Sequence, residues 1–163
     1  MAADMGKTAV MREEAKAEDD VRLRTLQLFY AALMVDSAIN FERLGATEKV
    51  AGWKAPEQAA AAVAQLAQLG VSDAASLFGR FSELFGCARW EMARDVTGTV
   101  EATTTTCLAC AIAKRRGAGR PCDLYCINPF RGLAAALSPA HGLEVEETLW
   151  EGRRCRFRVA PRA

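Results

Sequence analysis

Four of the six cysteines in this chain, Cys107, Cys110, Cys122 and Cys126, fall in one short stretch as C-x2-C, eleven residues, then C-x3-C. No other feature restricts so tightly what the chain can fold into, because paired thiols with a turn between them have to be brought face to face. The run Thr103–Thr106 has high strand propensity, and its last members make good helix caps, so Cys107 is expected to open a helix. A thiol at a helix N-terminus is acidified by the free N–H groups and the dipole. Helical spacing puts Cys107 and Cys110 on one face, and the loop RRGAGRP can turn the chain back so that Cys122 and Cys126 face them. Two such pairs are the usual way to build a four-thiolate site for zinc or an iron–sulfur cluster. Catalytic or redox thiols without metal, and plain packing of small apolar side chains, are the other readings of the same residues. Cys87 and Cys155 lie outside the stretch.

At 163 residues the chain is long enough for one domain with a full core and no disulfides. A net charge of +1 disfavours a nucleic-acid partner. Residues 1–20 are small and charged and read as a leader or a helix extension, with residues 21–163 as a single domain. That start excludes a signal peptide, no window is apolar enough to enter a membrane, and a cytoplasmic protein with reduced thiols is expected.

Leu26, Phe29, Tyr30 and Leu33 recur at helical spacing and predict a helix over residues 21–44 with these side chains in the core. A second helix is expected from Pro56 to Leu69 and a third after the Ser72-Asp73 cap, with Gly70 and Gly86 ending them. Alternation then predicts a hairpin around Thr97-Gly98. After the cysteine helix, Asn128-Pro129 should cap a short helix through Leu137. A last hairpin runs from Leu143 to Trp150 and from Arg154 to Val159, with a three-residue turn that sets Leu149 opposite Cys155 and Val145 opposite Val159. Alternation points Cys155, Phe157 and Val159 inward and Arg154, Arg156 and Arg158 to solvent. The order predicts an α+β fold: a helical N-terminal half packed on an antiparallel sheet of about four strands made of two hairpins, with short helices between them.

The segment YAALMVDSAINFERLG, a cysteine just after a strand (Cys107 or Cys110), the pair Cys122-Asp123 after a glycine-containing loop and the ending TLWEGRRCRFRV resemble the family of 2-aminothiazoline-4-carboxylate hydrolases. That family is related in layout to 4-vinyl reductase ligand-binding domains. The resemblance covers residues 21–160 in layout and about the last 55 by motif. It implies a small α+β domain with a pocket between sheet and helices, a cysteine-rich metal site in some relatives, and hydrolysis of a cyclic amidine C–N bond. Here C-x2-C and C-x3-C stand where single cysteines are expected, which favours a metal or cluster over the hydrolase activity itself.

Metal ligands are therefore expected at Cys107, Cys110, Cys122 and Cys126, with zinc or an iron–sulfur cluster as cofactor. Candidate catalytic groups are Cys155, Asp123 and the chain's one histidine, His141, which a Cys-His nucleophile would require. Arg115 and Arg116, beside the cysteines, could bind a carboxylate substrate or balance a thiolate centre. No phosphate-binding loop is present. Two functions follow: a metal- or cluster-dependent enzyme acting on a small organic or sulfur-containing molecule, or a non-catalytic sensory module with a structural zinc and a bound small-molecule ligand. A homodimer is compatible with either.

Overall fold

The computed structural model describes residues 2–161, and its element order bears out the α+β expectation. Three helices, α1 (Ala2–Arg43), α2 (Thr47–Leu69) and α3 (Ala74–Leu84), precede the hairpin β1 (Glu91–Arg94) and β2 (Val100–Thr104). Helix α4 (Leu108–Arg115), a π-helical turn (Asp123–Ile127) and α5 (Asn128–Leu137) lead to the second hairpin, β3 (His141–Glu147) and β4 (Cys155–Pro161). The two hairpins join through β2 and β4 into one antiparallel sheet of order β1-β2-β4-β3. Strand alternation sends Ala102, Phe157 and Val159 into the core. The opposite face carries the Arg156–Glu146, Arg158–Glu144 and Arg158–Glu146 ion pairs, as the arginine spacing anticipates.

Helix termini follow local chemistry. Asp73 accepts from the Ser76 N–H while the Ser76 hydroxyl accepts from Asp73 N–H, a capping box that starts α3. Gly70 closes α2 in the left-handed conformation, where a side chain would be strained. Helix α2 starts nine residues before the expected Pro56, which lies inside it. The first helix runs unbroken from Ala2, so residues 2–20 extend it. Asn128 does not cap α5, because the π turn feeds straight into it and no side-chain cap is made.

Two apolar clusters form the interior. The larger joins α2, α3 and α5 to the sheet through Leu66, Phe78, Trp90, Phe130, Leu133 and Phe157. The smaller packs Ala31, Met34, Val35 and Ile39 of α1 on Ala109, Ile112 and Ala113 of α4. This corrects the expected face of α1. Leu26, Phe29 and Leu33 are about two-thirds exposed and Tyr30 is 42% exposed. Small residues at Ala31 and Ala38 let α1 approach closely along the neighbouring face, and close packing outweighed the size of the side chains.

The last hairpin also departs from its expected register. Val145 pairs with Phe157, Leu143 pairs with Val159, and a bulge interrupts β3 between Val145 and Glu147. As far as Val145 the slip is by two residues, so inward and outward faces are kept; past the bulge the phase shifts by one, and Thr148 turns inward.

Candidate functional site: a cavity walled by six thiols

All six cysteines line one enclosed cavity of about 70 Å³. They reach it from four segments: Cys87 from the loop after α3, Cys107 and Cys110 from the start of α4, Cys122 and Cys126 from the π turn, and Cys155 from the first position of β4. The cavity lies at the seam between the two clusters. Cys155 belongs to the larger, Cys122 and Cys126 pack against it, and Cys87 and Cys107 pack against the smaller. Aromatic rings of Trp90, Phe130 and Phe157 form another part of its wall.

Local geometry sets each thiol. Cys107 is the N-cap of α4, as its position after the threonine run predicts, and its sulfur accepts from the Cys110 N–H at 3.4 Å. The Cys87 sulfur sits 3.7 Å from that of Cys107 and accepts from the Ala109 N–H at 3.3 Å. The Leu108 N–H donates to the Cys87 carbonyl at 2.7 Å, which fixes this loop on the helix start. Cys122 and Cys126, four residues apart across the π turn, both line the cavity, in keeping with the concentration of such turns at functional sites. Cys155 accepts from the Leu149 N–H at 3.3 Å.

These contacts divide the thiols by acidity. Cys107 is held well below the ordinary thiol range by hydrogen bonds from the Cys110 and Cys87 thiols and from N–H groups at the start of α4. Cys122 is also lowered, first by Cys110 and then by the charge of Arg120. Cys110 lies between these two and is raised by donating to them, although its single S–H can serve only one at a time. Cys87 is raised by its bond to Cys107 and by burial. Burial likewise raises Cys126, and brings Cys155 to about 11. Cys107 is therefore the thiol most inclined to ionise, with Cys122 shifted in the same direction and Cys110 the proton donor they share. All six cysteines are free thiols.

The other candidate residues fall elsewhere. Asp123 is paired with Arg120 at 3.0 Å and does not line the cavity. His141 pairs with Pro161 at the far end of β4 from Cys155, about 20 Å away at the usual rise per residue, and its Nδ1 meets the Ser138 hydroxyl. A Cys155–His141 couple does not form. Arg116 is bound to Asp36 at 3.3 Å and Arg115 is exposed, and neither lines the cavity. The cation that acts on the thiols is Arg120, held by Asp123 and Glu151.

Sequence spacing set Cys87 apart, yet its sulfur touches Cys107. Only the pairing of the loop after α3 with α4 brings it there, a contact between residues twenty apart that no local periodicity encodes. Of the aromatic wall, only the inward turn of Phe157 follows from strand alternation; Trp90 and Phe130 reach it from a loop and from α5, which no local pattern links.

Among the described residues, no group of three or more His, Cys, Asp or Glu side chains is arranged to hold a metal ion. No helix there is long and apolar enough to cross a membrane. Compared with protein families, with curated proteins and with solved structures, the chain finds no match. Fold and site together define an α+β protein with a cysteine-walled cavity.

Proposed function

We propose that the sulfur wall binds one thiophilic ion, with Cys107, Cys110 and Cys122 as ligands and Cys87 or Cys126 as a fourth, and that the ion faces a cavity in which a small organic or sulfur-containing molecule is transformed. The observation that carries this reading is the convergence of every cysteine in the chain on one cavity. Packing alone gives small apolar side chains no reason to converge on a single cavity. The donor chemistry fits a soft or borderline cation: the lining includes no carboxylate and no imidazole. The 3.7 Å between Cys87 and Cys107 sulfurs matches the spacing of two thiolates on one ion, since Zn–S bonds of about 2.3 Å hold tetrahedral ligands nearly 4 Å apart. The Cys110 thiol is within hydrogen-bond reach of those of Cys107 and Cys122, so these three sulfurs are neighbours. Zinc suits the small volume better than an iron–sulfur cluster, whose several atoms would occupy most of it.

The reading makes the protein an enzyme of a reducing compartment, the cytoplasm. Hydrolysis of a cyclic amidine, suggested by the likeness of its ending to 2-aminothiazoline-4-carboxylate hydrolases, is one reaction of this kind. A second reading is a non-catalytic ligand-binding module with a structural zinc. Its support is the position of the sulfurs across the seam, where an ion would tie α1 and α4 to the sheet. In either case the exposed stripe Leu26, Phe29 and Leu33 on α1 would be covered by pairing with a second copy of the chain.

Anaerobic purification followed by metal and acid-labile sulfide analysis tests the proposal. One colourless equivalent of zinc per chain is expected, falling by at least half in Cys107→Ser and Cys122→Ser. A brown protein with sulfide would replace zinc by a cluster, and metal content unchanged in both variants would reject the site.

A further inference from the structure

The cavity contains one polar group that metal binding leaves unexplained. Thr148, just beyond the end of β3, is 4% exposed, lines the cavity, and has a hydroxyl with no hydrogen-bond partner. The backbone around it is satisfied, because its carbonyl accepts from the Glu151 and Gly152 N–H groups at 3.2 and 2.8 Å. A buried hydroxyl left unmet is costly, and such a group calls for a partner that arrives from outside the chain. Water is a poor candidate, since a buried water needs two to four polar partners and the walls here are thiols and rings.

The rest of the lining restricts what the partner can be. No Lys, Arg or His borders the cavity and its acidified groups are thiols, so an anionic ligand would be stripped of water with nothing to balance it. Trp90, Phe130 and Phe157 offer ring faces and edges with centroids 4.9 to 6.1 Å apart, a wall suited to a flat body. A volume of about 70 Å³ has room for roughly five water-sized atoms. An approach exists as well. The open cleft between α1, α2 and α3 shares Tyr30, Met34, Phe81, Phe85 and Tyr125 with the cavity, and these side chains stand between the two spaces.

We propose that the cavity binds a small, flat, uncharged organic ring bearing one hydrogen-bond acceptor, which the Thr148 hydroxyl orients against the aromatic wall. The inference goes beyond the metal reading and does not depend on it, because Thr148 and the rings are in place without an ion. It also sets a limit on the ligand: a carboxylate finds no counter-charge in this cavity.

Oxazole and furan make the test, being uncharged five-membered rings that differ in one strong acceptor nitrogen. Each is titrated into the metal-free, reduced protein and followed by ligand-observed NMR, with oxazole-4-carboxylate as the charged comparison. Oxazole should bind at least tenfold more tightly than furan, and the carboxylate should not compete with it. Thr148→Val should bring oxazole down to the furan level while furan is unchanged, and Thr148→Ser should restore the difference. Equal preference in Thr148→Val and wild type, binding of neither ring, or competition by the carboxylate would overturn the proposal. Should Thr148→Val fail to fold, magnetisation transfer between oxazole protons and the Trp90 and Phe157 rings of the wild type decides it, and absence of transfer overturns it. Since no metal is present, failure here is distinct from failure of the metal site.

Discussion

Cys107 shows how one residue acquires its chemistry from position alone. Its sulfur caps α4, receives the Cys110 N–H and accepts from two neighbouring thiols, all of which favour the anion. The sign is that of an acid whose folded value lies below its unfolded one, so the thiolate persists as pH falls to the acid side of the ordinary thiol range. An open groove with Thr105, Thr106 and Lys114 on its rim also exposes Cys107 from outside. Iodoacetamide should therefore label Cys107 in the metal-free chain at pH 6, whereas Cys155, raised to about 11, should remain unlabelled until the solution is strongly alkaline. Peptide mapping by mass spectrometry reads both, and a labelling midpoint near pH 9 for Cys107 would count against the capping argument. This cap was legible in the sequence, because threonines before a cysteine and an alanine-rich run mark a helix start. Cys122 was legible only as a ligand; the lowering of its pKa comes from Cys110 and Arg120 across the fold.

At the scale of elements, what the sequence revealed depended on whether the signal was local. Glycine stops, the Asp73 cap and the first hairpin are set by neighbouring residues and stand as read, while the second hairpin forms where expected but in a slipped register. The buried face of α1 is set by its partner α4, and size-weighted periodicity chose the wrong side. Pro56 misplaced a helix start for a related reason: it lies inside α2, where tertiary packing keeps the helix continuous. The contact of α2 with α5 carries a testable consequence. A Cβ built on Gly132 would come within 3.2 Å of the Ala59 Cα and 3.3 Å of its nitrogen, and backbone cannot swing aside as a side chain can. Gly132→Ala trades a favourable gain in helix propensity, roughly 1 kcal/mol, against overpacking of about 1–3 kcal/mol. A net loss of about 1 kcal/mol is expected, read as a lower urea midpoint with unchanged slope. Gly52, on the same helix as Ala59, has open space around it, and Gly52→Ala should instead hold or raise the midpoint. A rise in both variants would show that α2 and α5 are less tightly seated than their backbones indicate.

The whole molecule is two apolar clusters meeting at a seam of sulfur. One cluster anchors the sheet and the other anchors α1 on α4, and the cavity between them leaves side chains without partners on one side. An ion bound there would bridge α4, the π turn and the loop after α3, adding a connection where packing is thinnest. Because it binds the folded chain and not the dispersed thiols of the unfolded one, it stabilises by mass action, about 4 kcal/mol when free zinc stands at a thousand times its dissociation constant. For a chain of this length each kcal/mol moves the melting temperature by roughly 2–4 °C, so a rise of about 8–16 °C is expected on zinc addition to the reduced apo protein. The gain should be local in origin. Hydrogen exchange should slow most in α4 and the facing part of α1, Ala31 to Ile39, and change least in the α2–α5 contact, which belongs to the other cluster. Cys107→Ser retains an oxygen that can cap α4, so it should fold and melt near the apo temperature while losing most of the response to zinc. A melting temperature indifferent to zinc in the wild type, or an equal rise in Cys107→Ser, would mean that the seam is closed by packing and that its sulfurs hold no ion.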